Sequence, residues 1–299
     1  MVALVARWLL ERGERPAILS RGYGRRDRRD GVVVVSDGRG LFADFDRSGD
    51  EPLMLARNLP AAVVVVSDDR FLAGALAERR LGATVHLLDD GFQHVQLARD
   101  VDILMTRPGE ITGGRVLPVG RLRESMAAAA RADVVVVLDS DLATARSEAW
   151  ALGISQVVAG KKTLRGADGA LGAVGASGAG ASAAWGAGGA EGAAVAVAGI
   201  ARPDEFFEML RASGYQVADA VGFPDHHRFT PADVTRIEAA LQRTGAARVV
   251  TTEKDLVRLE HQAPLPFECQ AIPLTLSLEG WDALGSLLAH AIARRREAA

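Results

Sequence analysis

The sequence predicts an α/β protein built on mostly parallel sheet with helices on both faces. Three observations carry that prediction. Short valine-rich runs recur at residues 32–35, 63–66 and 134–138, and they are apolar throughout rather than alternating, as in strands covered on both sides. Helical segments separate the runs, the alternation that parallel strands require. The chain has 299 residues and 48% hydrophobic content, enough for a sizeable core and two domains.

Residues 2–12 read as a helix, with Val2, Val5, Trp8 and Leu9 at helical spacing and Gly13 as its stop. Residues 17–20 form a short strand, followed by RGYG at 21–24 and a charged loop over 25–30. A strand follows at 32–35. Gly49-Asp50-Glu51-Pro52 opens a helix through residue 58, because proline suits a first turn and acids suit its positive end. A strand at 63–66, a helix at 69–80 and strands at 87–88, 101–104 and 134–138 complete a first domain over residues 1–150.

Composition changes near residue 160. Residues 166–192 are almost entirely Gly, Ala and Ser around one Trp185, and they read as a flexible or weakly packed insertion. Beyond it come a strand at 195–200, a helix at 204–213 behind Pro203 and a helix at 231–244. A strand at 248–251 then runs into TTEKD at 251–255, and an alternating run fills 272–278. These make a smaller second α/β domain over residues 151–280. Residues 281–299 form a terminal helix whose basic end suits its dipole.

The net charge of -3 argues against a general polyanion-binding surface, so no nucleic acid partner is expected. A single cysteine, Cys269, excludes a disulfide framework and a cysteine-rich metal site. With no secretory signal, the cytoplasm is the expected compartment. No run of eighteen apolar residues exists, so no bilayer span is expected, which leaves peripheral contact open.

Asp89 and Asp90 close the 87–88 strand, where open α/β sheets place their chemistry. Adjacent carboxylates repel, and a divalent cation, an imidazolium or a substrate proton would offset that repulsion. Such a carboxylate takes a proton from a hydroxyl or holds a divalent cation through oxygen. The competing reading makes Asp90-Gly91 only a turn. His94 either orients the acids or packs in the core.

FPDHH at 223–227 is a second polar cluster. A histidine from it close to Asp90 would form an Asp–His pair able to activate an alcohol. Zinc is a rival reading, disfavoured because His226 and His227 are adjacent and do not easily face one metal. A plain polar turn before Thr230-Pro231 is the third. Arg21, Arg121, Arg123 and Arg202 sit in turns or at element ends, and guanidinium forks match phosphate oxygens. Singly each reads as a solvated charge; together, beside an acid pair, they point to an anionic substrate. Lys254 is either a phosphate contact or an ion-pair partner of Glu253 or Asp255. No G-x-x-x-x-G-K-[ST] and no G-x-G-x-x-G occurs. Residue chemistry alone therefore stops at a two-domain α/β enzyme that handles an anionic, hydroxylated substrate with a divalent cation.

Eight stretches go further: SRGYG at 20–24, GDEP at 49–52, LDDGFQH at 88–94, LARDVDI at 97–103, LPVGRLRES at 117–125, AGIARPDEFF at 198–207, FPDHHRF at 223–229 and VTTEKDLVRL at 250–259. In these motifs and their order the chain resembles the tetraacyldisaccharide 4'-kinase family of lipid A biosynthesis in Gram-negative bacteria. The resemblance implies a P-loop-kinase-like fold with a smaller second domain joined by a hinge. It implies transfer of the γ-phosphoryl group of ATP, with Mg²⁺, to the 4'-hydroxyl of a tetraacyldisaccharide 1-phosphate. The place implied is the cytoplasmic face of the inner membrane, in peripheral contact. Carried onto this sequence, Asp90 is the catalytic acid, His226 its partner and Asp89 the Mg²⁺ or positioning group. Arg21 and Lys254 fall on the nucleotide side. Arg121, Arg123, Arg202 and His94 fall on the lipid-sugar side.

The same resemblance places an amphipathic segment, a strand and a P-loop ending GGTGKTP ahead of the helix with which this chain opens. The expected domain is thus N-terminally truncated, and its nucleotide binding is expected to collapse without that loop. Either the start lies too far downstream, or the chain is a genuinely shortened copy. In-frame translation upstream of Met1 separates the two. A shortened copy would be an inactive binding protein. A Mg²⁺-dependent phosphohydrolase using Asp89 and Asp90 is the remaining alternative.

Overall fold

The structure, a computed structural model, describes residues 1–28, 31–120, 122–164 and 192–297. The Gly/Ala-rich insertion expected at 166–192 lies, apart from Gly192, outside the described residues. Contacts divide the chain into two compact units. One comprises residues 2–87 and 163–275; the other comprises residue 1, residues 88–162 and residues 276–299. This partition differs from the expected cut near residue 150. That cut follows composition along the chain, whereas the contacts follow which strands share a sheet.

In the larger unit, α1 (Val2–Leu10) buries Val5, Ala6, Trp8 and Leu9, the stripe its spacing predicts. A four-stranded sheet holds β1 (Pro16–Ser20), β2 (Val32–Asp37), β3 (Val63–Ser67) and β4 (Val85–Leu88) in the order β2-β3-β1-β4. β1 and β3 pair in parallel and are buried along their whole length, as continuous apolar runs require. β2 departs from the parallel pattern: it runs antiparallel to β3 at the sheet edge, with a register shift between Val34 and Ser36. A four-valine run fits either direction, so the sequence alone does not reveal this. Three helices connect these strands: α2 (Phe45–Ser48), α3 (Asp50–Asn58) and α4 (Arg70–Leu81). Asp69 caps the start of α4 by accepting from the Leu72 N–H, and Gly82 ends it in the left-handed conformation.

In the smaller unit, β5 (Ile103–Thr106), β6 (Val134–Leu138) and β7 (Gln156–Leu164) pair in parallel. β5 starts two residues later than the expected 101–104 strand. Arg99 holds the Asp102 side chain, and the Asp102 N–H is taken by Asp133 at 2.7 Å, so the chain is committed to a turn there. The helix α5 (Leu142–Ala151) buries Ala145 and Ala149.

The larger unit continues with a second sheet of β8 (Ala194–Ala198), β9 (Val217–Gly222), β10 (Arg248–Thr251) and β11 (Cys269–Ala271), ordered β11-β10-β8-β9 and parallel throughout. Its helices are α6 (Pro203–Ala212), α7 (Pro231–Thr244) and α8 (Glu253–Leu259). Thr230 and Asp233 form a reciprocal capping box at the start of α7. The strand expected over 272–278 is β12 (Leu274–Glu279), which starts two residues later and joins the sheet of the smaller unit in the order β12-β7-β6-β5. α9 (Trp281–Glu297) closes the chain with Arg294, Arg295 and Arg296 in its last turn.

Two glycines bring the RGYG and GDEP motifs together. Gly49 has φ +86°, and a Cβ there would lie 2.6 Å from the Tyr23 carbonyl oxygen. A Cβ on Gly22 would lie 2.4 Å from Val66 Cγ1 and 2.6 Å from the Ser48 carbonyl oxygen. The backbone just ahead of α3 is therefore pressed against the loop after β1. Replacing Gly49 by Ala is expected to cost on the order of 1–3 kcal/mol, read as a lowered urea midpoint. An unchanged midpoint would show that this close approach is absent.

Candidate functional site

The four strands of the β11-β10-β8-β9 sheet point the same way, so the loops after β8, β9 and β10 gather at one edge, where open parallel sheets place their sites. The FPDHH turn is laid along the end of β8. The Phe223 N–H donates to the Ala198 carbonyl at 2.8 Å, and the His226 N–H donates to the Gly199 carbonyl at 3.1 Å. His226 sits at φ +56°, a left-handed conformation uncommon for a residue with a side chain.

The two neighbouring imidazoles have different partners. His227 stacks on Phe223 with ring centroids 4.8 Å apart, and its Nε2 lies 2.9 Å from Asp233. Burial pushes the Asp233 carboxyl up, but the Thr230 hydroxyl, His227 and the Thr230 N–H outweigh it and hold the group below the usual carboxylate range. His227 is thus packed into the start of α7. His226 is 30% exposed, and its ring meets Tyr23 edge-on at 4.9 Å. Its Nδ1 lies 3.0 Å from Asp50 Oδ2, and its Nε2 lies 3.9 Å from Asp225. A carboxylate only accepts, so the proton of this pair belongs on Nδ1.

Asp50 is the first residue of α3 and only 4% exposed. The positive end of the helix favours a buried carboxylate there, and Oδ1 also accepts from the Glu51 N–H at 2.9 Å. Arg258, 2% exposed on α8, approaches the same carboxylate, with Nε 3.4 Å from Oδ2. Its Nη2 lies 2.9 Å from Asp255 Oδ1, and its Nη1 donates to the His227 carbonyl at 3.2 Å. Asp255 is wholly buried and accepts from the Gly199 N–H at 3.0 Å and the Thr252 hydroxyl at 2.6 Å. Burial pushes the Asp255 carboxyl up, and the nearby Asp50 adds to this. Arg258, Thr252 and Gly199 act the other way without cancelling it.

The carboxylate within hydrogen-bond distance of His226 is therefore Asp50, which the sequence reading took only as a helix start. Lys254 Nζ lies 3.0 Å from Glu51, next to Asp50, a partner the sequence reading did not name. Glu253 accepts from Asn58 Nδ2 at 2.9 Å, a further tie between α3 and α8 beside Arg258–Asp50 and Lys254–Glu51. Arg202 stands at the start of α6, 2.9 Å from Glu205, and Arg21 is exposed directly after β1.

The remaining candidates belong to the smaller unit. Asp89 and Asp90 follow β4; Asp89 is half-buried, and Asp90 is exposed at φ +49°. Arg123 lies 3.3 Å from Asp90 and donates to Gln93 Oε1 at 3.1 Å. His94 is half-buried. Arg121 lies outside the described residues. Among the described residues no group of three His, Cys, Asp or Glu side chains could hold a metal alone. Asp89 and Asp90 do fit Mg²⁺, a hard cation commonly held by one or two carboxylates together with substrate phosphates. No described helix is long and apolar enough to cross a membrane.

A buried carboxylate on Nδ1 of a partly exposed ring makes an imidazole able to take a proton from an alcohol at Nε2. That is the chemistry this edge can perform.

The family model described as "Tetraacyldisaccharide-1-P 4'-kinase" matches residues 1–293. The tetraacyldisaccharide 4'-kinase of Geobacter metallireducens is 41% identical over 263 residues, covering 87% of this chain and 73% of that protein. That of Syntrophus aciditrophicus is 35% identical over 286 residues, covering 93% and 75%. Among solved structures, an "apo" form of LpxK from Aquifex aeolicus in complex with ATP superposes with a TM-score of 0.69 at 27% identity, covering 97% of this chain and 84% of that one.

Replacing Arg258 by Met leaves two buried carboxylates without their cation and is expected to cost about 3–5 kcal/mol by urea denaturation at neutral pH. Asp255 already binds its proton more tightly folded than unfolded, so its charged form opposes folding as pH rises. Without Arg258 the folded Asp255 carboxyl rises further, so the deficit of the variant should shrink as pH falls toward the native protein's raised Asp255 value and level off below it. A deficit independent of pH would contradict this arrangement of charges.

Proposed function

The chain belongs to the tetraacyldisaccharide-1-P 4'-kinase family, and on that premise we propose that it transfers the γ-phosphoryl group of ATP to the 4'-hydroxyl of a tetraacyldisaccharide 1-phosphate. The product is the 1,4'-bisphosphate, lipid IVA. The observation that carries the reading at residue level is the Asp50–His226 pair, 3.0 Å apart, with Nε2 on the outer side of the ring.

In this reading His226 Nε2 takes the proton from the 4'-hydroxyl as its oxygen bonds to the γ-phosphorus. The bond from that phosphorus to the β-phosphate oxygen breaks, and ADP leaves. Asp50 keeps the ring in the Nδ1–H tautomer and stabilises the imidazolium that forms. The base is thus assigned to His226 with Asp50, rather than to Asp90 oriented by His226. Asp89 and Asp90 would hold Mg²⁺, which when bound offsets charge on the transferred group. Arg123 would orient Asp90. Arg21, Arg121 and Arg202 are proposed as guanidinium contacts for the anionic groups of ATP and lipid, with Lys254 on the nucleotide side and His94 on the lipid side. No residue of the 299 is assigned the phosphate-cradling role of a P-loop. The lipid acceptor places the protein in peripheral contact with the inner membrane, on its cytoplasmic face.

The test uses protein expressed from its own gene, including any in-frame coding sequence upstream, with ATP, Mg²⁺ and the tetraacyldisaccharide 1-phosphate. Asp50→Asn should lower kcat on the order of 10²–10⁴-fold, with little change in KM for the lipid. Asp90→Asn should mainly raise the Mg²⁺ concentration needed for half-maximal rate. Unchanged turnover in Asp50→Asn, or an Asp90 variant equally inactive at saturating Mg²⁺, would return the base to Asp90.

A further inference from the structure

Arg258 and Asp255 are buried and carry no proton in the proposed reaction, yet Arg258 lies against Asp50 and Asp255 reaches the His226 backbone through Gly199. We propose that they are positioning residues: Arg258, anchored on Asp255, fixes the carboxylate of Asp50 and through it the tautomer and aim of His226. The proposal rests on the reading of Asp50–His226 as the proton-transfer pair.

The guanidinium stands in ion-pair contact with both acids, Nε 3.4 Å from Asp50 Oδ2 and Nη2 2.9 Å from Asp255 Oδ1, while its hydrogen bonds go to backbone, Nη1 to the His227 carbonyl at 3.2 Å and Nε to the Lys254 carbonyl at 3.3 Å. Asp255 Oδ1 also takes the Gly199 N–H, and the Gly199 carbonyl takes the His226 N–H. One Arg–Asp pair therefore holds the Asp50 side chain directly and the His226 backbone through a single glycine. Asp255 and Arg258 stand three residues apart on α8, which puts both on one face of the helix.

Stability alone is a poor reason for this arrangement. Apolar side chains of similar volume generally serve a buried site as well as a buried ion pair does, because both charges must be stripped of water. What apolar side chains cannot do is fix the direction of a carboxylate. A guanidinium seated on two backbone carbonyls can, by holding its positive charge at one point beside Asp50. Asp50 needs such a fix because a second buried carboxylate stands nearby and would push it away.

The experiment uses the chain labelled with ¹⁵N-histidine. Long-range proton–nitrogen correlation at mildly alkaline pH reads the tautomer of each neutral ring. His226 should be in the Nδ1–H form in the native protein and should lose it in Asp50→Ala. Arg258→Lys keeps the charge but offers one nitrogen where three are used; it should lose the Nδ1–H form at His226. Asp255→Asn keeps the hydrogen bond from Gly199 and removes the charge that anchors Arg258; it should shift His226 the same way. His227, held by Asp233, should be unchanged in all of them, which shows that the fold persists. Retention of the Nδ1–H form in both Arg258→Lys and Asp255→Asn, while Asp50→Ala loses it, would overturn the positioning role and leave the pair standing. Retention in Asp50→Ala would overturn the pair itself, and the proposal with it.

Discussion

The arrangement at the edge of the β8–β11 sheet depends on one buried cation. Arg258, almost without solvent, lies between Asp50 and Asp255, which are themselves buried. Three charges removed from water are expensive, and they persist only where each finds several partners. Asp50 has a helix start, the Glu51 N–H and His226; Asp255 has Gly199 and Thr252; Arg258 donates to the His227 and Lys254 carbonyls and stands in ion-pair contact with both acids, although its Nη2 makes no hydrogen bond. Meeting these contacts at once leaves little freedom to α3, α8 and the loops after β8 and β9.

That constraint explains why two adjacent histidines do different work. A left-handed backbone at His226 turns its ring away from that of His227. One imidazole then stacks on Phe223 and closes on Asp233, as a packed side chain does. The other keeps an outer nitrogen and a buried carboxylate behind it, which is the arrangement that lets an imidazole accept a proton and remain stable once charged. In the proposed reaction the alcohol is the 4'-hydroxyl of the lipid disaccharide.

Much of the fold was legible in the residues. The valine runs and the alternation of strand and helix follow from short-range pattern. α5 was not legible, because its buried face is alanine and offers no contrast with its exposed face. The direction of β2 was not legible either, since an apolar run pairs equally well both ways. At the site, the sequence reading paired a histidine of the FPDHH turn with Asp90, whereas the carboxylate within hydrogen-bond distance of His226 is Asp50. Asp50 reads locally as an ordinary acid in a first turn, already accounted for by the helix dipole. Its bond to His226 joins positions 176 apart, and no local periodicity encodes such a pairing. Lys254 with Glu51 repeats the lesson. The available signal was the grouping of acids in GDEP behind a glycine forced into positive φ, a backbone feature that helix capping does not require.

The most direct measurement is a crystal structure with the tetraacyldisaccharide 1-phosphate and a non-hydrolysable ATP analogue bound. The account predicts the 4'-hydroxyl within hydrogen-bond reach, about 3 Å, of His226 Nε2, with Asp50 still on Nδ1. A 4'-hydroxyl held by Asp90, with the His226 ring turned away from it, would contradict the account.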